Sequence, residues 1–165
     1  LRGSPSRIEV VMKLPSVACL ISVLAVVPAA ARAQEQRIPR SALPPAVDRA
    51  VTAAARGAVV REFSRERDNG QTYYEAALLV RGHSKDVLFD STGAIVEVEE
   101  EVVLQALPAP VRAALTRRAA GGKIVSVESL TKHDRLVAYE AHLLRGGKRS
   151  EIQVGPGGET LEHEE

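Results

Sequence analysis

Ala42-Leu43-Pro44-Pro45-Ala46-Val47 returns further along the chain as Ala106-Leu107-Pro108-Ala109-Pro110-Val111, an offset of 64 residues. Tyr74-Glu75-Ala76 returns as Tyr139-Glu140-Ala141 and Leu78-Leu79 as Leu143-Leu144, now at an offset of 65. Gly93 then matches Gly158, Val96 matches Leu161, and Glu97, Glu99 and Glu100 match Glu162, Glu164 and Glu165. Self-similarity at a fixed period is the signature of a repeated structural unit. The reading is a tandem duplication, with a first repeat over residues 42–105 and a second over 106–165.

Each repeat opens on a helix pattern. Leu43, Val47, Val51 and Ala54, then Leu107, Val111, Leu115 and Ala119, fall near i, i+4 and i+8, one apolar stripe along a helix. Pro44 and Pro108 suit the first helical turn, where a missing N–H costs little, and Gly57 and Gly121 suit the stop. Strand patterns follow at 59–66 and 124–130, with turns at Asp68-Asn69-Gly70 and Lys132-His133-Asp134 returning the chain over 72–81 and 136–145. Further strands are expected at 85–90 and 150–154. Asp90-Ser91-Thr92-Gly93 has the Asp-first, Gly-fourth pattern of a type I turn, and Gly155-Pro156-Gly157-Gly158 stands in its place in the second repeat. Segments 94–101 and 159–163 are expected to close the repeats as strands. The fold class is therefore α+β: twice over, one helix and a four-stranded antiparallel meander, with both helices on one face of the sheet. Phe63, Val87, Phe89, Val96 and Val98, with Val127, Ile152, Val154 and Leu161, are the residues expected to face the helices.

Ahead of the repeats, residues 1–33 carry the pattern of a secretory signal with an upstream extension before Met12. Lys13 supplies the positive start, residues 17–27 the apolar stretch, and Ala31-Arg32-Ala33 the small-x-small site before Gln34. The alternative is an uncleaved anchor over 17–31, but that run is shorter than the ~20 residues of a spanning helix, and Pro28 favours cleavage. The expected location is periplasmic or secreted, with residues 34–41 as a linker and no membrane span after cleavage. The single Cys, Cys19, leaves with the signal, so thiol catalysis, disulfides and Cys-based metal sites are excluded from the remainder. The whole chain has 22 Lys+Arg against 21 Asp+Glu, and removing Arg2, Arg7, Lys13, Arg32 and Glu9 turns its net charge of +1 into −2. Such a balance offers no footprint for nucleic acid.

The Leu-Pro-x-x-Val helix opening, the Tyr-Glu-Ala strand and the run Val87-Leu88-Phe89-Asp90-Ser91-Thr92-Gly93-Ala94-Ile95 resemble the PepSY-like proteins, a group related to the β-lactamase-inhibitor fold. The resemblance covers residues 41–165. It implies a secreted, non-catalytic α/β repeat whose sheet is a binding surface, with enzyme or protease inhibition as one suggested role. The chain departs from the inhibitor itself in having no Cys after the signal and few aromatics, and Gly155-Pro156-Gly157 replaces Asp90-Ser91-Thr92.

Along the strand at 72–81, Tyr73, Glu75 and Ala77 share one face and Tyr74, Ala76 and Leu78 the other. Unpartnered carboxylates are costly in a core, so the face of Glu75 and Glu140 is read as the open one. Tyr73, Glu75, Glu140 and His142 are the expected contacts for a protein partner. A second reading gives the acidic runs to a cation such as calcium, held by Glu97, Glu99, Glu162 and His163 on acidic strand edges, although no Asp-x-Asp-x-Asp-Gly loop is present. His83, His133, His142 and His163 show no zinc-motif spacing, and Gly121-Gly122-Lys123 and Gly146-Gly147-Lys148 lack the spacing of a phosphate loop. With no Gly-x-Ser-x-Gly elbow either, neither an enzyme nor a cofactor is expected.

Overall fold

The structure is a computed structural model that describes residues 35–161 and His163. The signal segment and Glu162 therefore lie outside the described residues. Helix α1 spans Pro45–Ala54 and α2 spans Ala109–Ala119. Eight strands, β1 (Gln36–Arg37), β2 (Val59–Asp68), β3 (Gln71–Val80), β4 (His83–Asp90), β5 (Ile95–Glu101), β6 (Lys123–Lys132), β7 (Arg135–Arg145) and β8 (Lys148–Val154), form one antiparallel sheet in chain order.

The local chemistry accounts for these elements. Pro44 and Pro108 are the N-cap residues, one position ahead of the expected first turn, and Pro45 in α1 and Pro110 in α2 take first-turn positions whose N–H a helix leaves unsatisfied; Val47 and Val51 are the buried stripe of α1, and Val111, Ala114, Leu115 and Ala119 that of α2. The β2–β3 turn places Asn69 and Gly70 at positive φ and the β6–β7 turn does the same with His133 and Asp134, as tight hairpins require. The Arg145 guanidinium donates to the Ala119 carbonyl, tying the C-terminal end of α2 to β7.

Two apolar clusters lie between helices and sheet. Leu43, Val47 and Val51 meet Ala76, Leu78, Val87 and Phe89; Leu107, Val111 and Leu115 meet Val127, Ala141, Leu143 and Val154. Gly93 and Gly158 occupy matching places at the helix starts. Each has φ of +86°, and a Cβ on either would come within 2.7 Å of α1 at the Ala46 carbonyl oxygen or of α2 at Pro110. Their turns share backbone bonds as well: Asp90 N–H to Ala94 O at 2.9 Å matches Gly155 N–H to Glu159 O at 2.9 Å.

Five expectations differ from what is seen. The second helix is followed by three strands rather than four: Glu159 to Leu161 is not extended into a ladder, and the Glu159 carboxylate turns back to accept from the Gly157 N–H at 2.8 Å. Residues 34–41 are not simply a linker, since Gln36 and Arg37 pair with Arg65 and Ser64. Val96 is outside the core cluster because it is the extra residue of a bulge between β4 and β5, where Leu88 pairs with Glu97 and Phe89 with Ile95. Leu161 is half-buried and joins neither cluster. The acidic strand β5 is no edge: it is paired with β4 on one side and with β6 on the other.

Candidate functional site: an acidic sheet face

Residues paired across antiparallel strands share a face, so the register alone maps the side of the sheet away from the helices. Glu75 lies opposite Ser64 and Leu88; Leu88 opposite Glu97; Asp86 opposite Glu99. Glu101 lies opposite Glu128, Glu128 opposite Glu140, and Glu140 opposite Gln153. Because α1 and α2 both cover the other side, this face carries most of the carboxylates of strands β2 to β8 in a continuous band. Asp86–Glu99 and Glu128–Glu140 are like-charged direct pairs, an arrangement that weakens a sheet.

The band has two foci. At the first, Glu66, Glu75, Asp86, Glu97 and Glu99 surround Leu88 in a shallow depression. Burial comes first, and repulsion from neighbouring carboxylates second, in pushing Glu75 up to about 7, with Asp86 as its main charged neighbour. The same causes push Glu99 up to about 8, with Glu97 foremost among the charges, and they raise Glu66 and Asp86 as well. A cation does reach the rim: Lys132 Nζ stands 3.8 Å from Glu97. Tyr73 stands beside this focus, at the end of the face, its hydroxyl donating to Gln71 Oε1 at 2.7 Å.

At the second focus, His142 Nε2 is 3.1 Å from Glu128 and 3.6 Å from Glu140, and its Nδ1 is 3.3 Å from Glu151. Burial works against the charged ring, yet the hydrogen bond and charge of Glu128, with Glu140 and Glu151, raise its pKa on balance. Burial also raises Glu140, against the Gln153 amide that donates to it at 2.7 Å. Ser84 bridges from β4, its hydroxyl 3.5 Å from Glu101 and 3.4 Å from Glu128.

The four expected contact residues thus lie on one face but in two groups, Tyr73 with Glu75 and Glu140 with His142. Four strand spacings separate β3 from β7, roughly 19 Å. Of the expected calcium set, Glu97 and Glu99 sit at the first focus on a central strand, His163 is exposed in the C-terminal tail, and Glu162 is outside the described residues. Asp86 and Glu128 are not distinguished by sequence motifs, and Glu101 is read only as part of the acidic run that ends β5. Alternation with the buried Val87 and Val127 marks Asp86 and Glu128 as open-face residues, but which carboxylates meet across β5 and β6 depends on a register that no tight turn fixes.

No helix among the described residues is long and apolar enough to cross a membrane. Fold and site together define an α+β protein that packs two helices on one side of an antiparallel sheet and leaves the other side acidic. No protein-family model matches the chain, and no curated protein matches it. Solved structures do share its fold. A protein of Bacteroides eggerthii described as periplasmic aligns at 20% identity and a TM-score of 0.59, covering 72% of this chain and 85% of that one. A DUF2874 family protein of Bacteroides ovatus gives 20% identity and a TM-score of 0.57, covering 72% and 84%. A BLIP-like protein of Bacteroides fragilis gives 21% identity and 0.52, covering 70% and 81%. The fold is of the BLIP-like kind.

Proposed function

We propose that this chain is a non-catalytic binding module of the cell envelope that receives a basic protein surface on its acidic sheet face. One observation carries the reading: like-charged carboxylates stand directly opposite one another, Asp86 with Glu99 and Glu128 with Glu140, on the face that the helices leave uncovered. A fold maintains such locally unfavourable pairs where a site requires them. Lysine or arginine side chains of a partner relieve the repulsion and restore the charge of Glu75 and Glu99, so association is driven by electrostatic complementarity and is sensitive to salt. Export is supported by the signal pattern at residues 1–33 and by the periplasmic description of proteins with this fold. Duplication of a helix-and-strand unit, supported by the matched turns at Gly93 and Gly158, accounts for a face built of two acidic foci. Inhibition of an enzyme is one use of such a face; fold likeness alone does not select it.

The test is affinity capture from an envelope extract of the source cell, with the Glu75→Lys/Glu97→Lys protein as control. Both positions lie at the first focus, so the control leaves the second focus unaltered, and its circular dichroism and melting temperature are compared with those of the unaltered protein to separate loss of the face from loss of the fold. The reading expects a partner enriched on the unaltered protein, eluted by salt and lost on the control. Equal capture by both proteins would overturn the assignment of the face.

A further inference from the structure

We propose that the second focus is a divalent transition-metal site, with zinc as its type cation, built by Glu128, Glu140 and His142. The site shares the Glu128–Glu140 pair with the acidic binding face, but it is tested separately, by metal titration here and by a control at the first focus for partner capture. One ligand atom from each of the three residues lies within 4.8 Å of the other two. Two separations, 3.1 Å and 3.6 Å from His142 Nε2 to the carboxylate oxygens, bracket the ~3.3 Å edge of a tetrahedron whose metal–ligand bonds are about 2.0–2.1 Å. An imidazole nitrogen with two carboxylates suits zinc rather than calcium, which takes oxygen ligands almost exclusively.

Residues outside the donor set hold it in position. Glu151 Oε1 lies 3.3 Å from His142 Nδ1, on the side of the ring away from Nε2, which faces Glu128 and Glu140. This is the carboxylate–histidine–metal relay that orients metal-bound imidazoles. The Gln153 amide occupies Oε2 of Glu140 at 2.7 Å and leaves Oε1 to face His142. All three ligands come from adjacent strands of one sheet, the rigid kind of support that a metal site requires. Glu128 and Glu140 are 15% and 18% exposed in their side chains, which leaves the metal's remaining position open toward solvent or a partner group. A dication at this position offsets the repulsion between the two directly opposed carboxylates.

Isothermal titration of the untagged full chain with zinc, and cobalt(II) absorption as a spectroscopic readout, test the site. The expected result is one saturable zinc per chain and a cobalt spectrum of tetrahedral intensity. Both should be lost in His142→Ala and in Glu128→Gln, while Glu151→Gln weakens zinc by about tenfold through ligand orientation. Glu75→Gln/Glu99→Gln, at the other focus, should leave zinc affinity unchanged. Circular dichroism of each variant separates loss of the site from loss of the fold. No saturable binding to the unaltered protein, or undiminished binding in a folded His142→Ala protein, would overturn the assignment.

Discussion

Glu99 is the residue at which the cost of the acidic face is concentrated. It lies opposite Asp86 on a strand flanked on both sides, and burial with the surrounding carboxylates pushes its pKa up to about 8, with Glu75 following at about 7. Folding therefore takes up protons between the ordinary carboxylate range and these values. The stability linked to Glu75 and Glu99 is complete below about pH 4.5 and is lost as pH rises through 7 and 8. Melting temperature should accordingly fall from pH 5 to pH 8.5, and Glu99→Gln should flatten that slope. At pH 8.5 the variant is expected to gain about 1–3 kcal/mol after solvent screening, and at pH 5 to differ by less than about 0.5 kcal/mol. A melting temperature that does not change with pH would contradict this. The openness of the face was legible at this scale, since Glu75 alternates with Ala76 and a carboxylate without a partner is kept from the core. Of the charged neighbours of Glu99, Glu97 was legible from the alternation of one strand, whereas Asp86 and Glu128 were not, because they reach it only through strand pairing.

At the scale of elements, the packing of each helix start on a glycine turn is the contact least tolerant of change. Gly93 and Gly158 both adopt positive φ, and both press against backbone atoms of a first helical turn. Gly93→Ala and Gly158→Ala should each cost about 2–4 kcal/mol in chemical denaturation, since strain and collision add. Gly70→Ala is the control: Gly70 also has positive φ, of 81°, but nothing lies within 4 Å of an added Cβ, so about 1 kcal/mol is expected. Equal losses at Gly70 and Gly93 would show that backbone strain alone accounts for the effect. The helices, hairpins and glycine turns were readable from the repeated motifs because each is set by local chemistry. The expected fourth strand of the second unit was not seen, because Glu159 folds back onto the Gly155–Gly158 turn where Ala94 and Ile95 run on into β5. The bulge at Val96 was equally hidden, as the alternation of Val96 and Val98 reads as uninterrupted.

For the molecule as a whole, the ladder between β5 and β6, from Glu97–Lys132 to Glu101–Glu128, joins the two helix-and-strand units into one sheet. Neither apolar cluster is large, so each unit gains from the shared ladder, and unfolding should be a single transition with calorimetric and van't Hoff enthalpies in agreement. Two resolved transitions would mean that the units fold independently. The same continuity makes the acidic band one surface rather than two. Its role as the binding face is tested most directly by amide chemical-shift mapping while an oligolysine peptide is titrated into the isotope-labelled protein. The largest shifts are expected on β3 to β7 around Glu75, Asp86, Glu99, Glu128 and Glu140, reversed by salt and reduced in Glu75→Lys/Glu97→Lys. Shifts confined to α1 and α2, or none at low salt, would contradict the account.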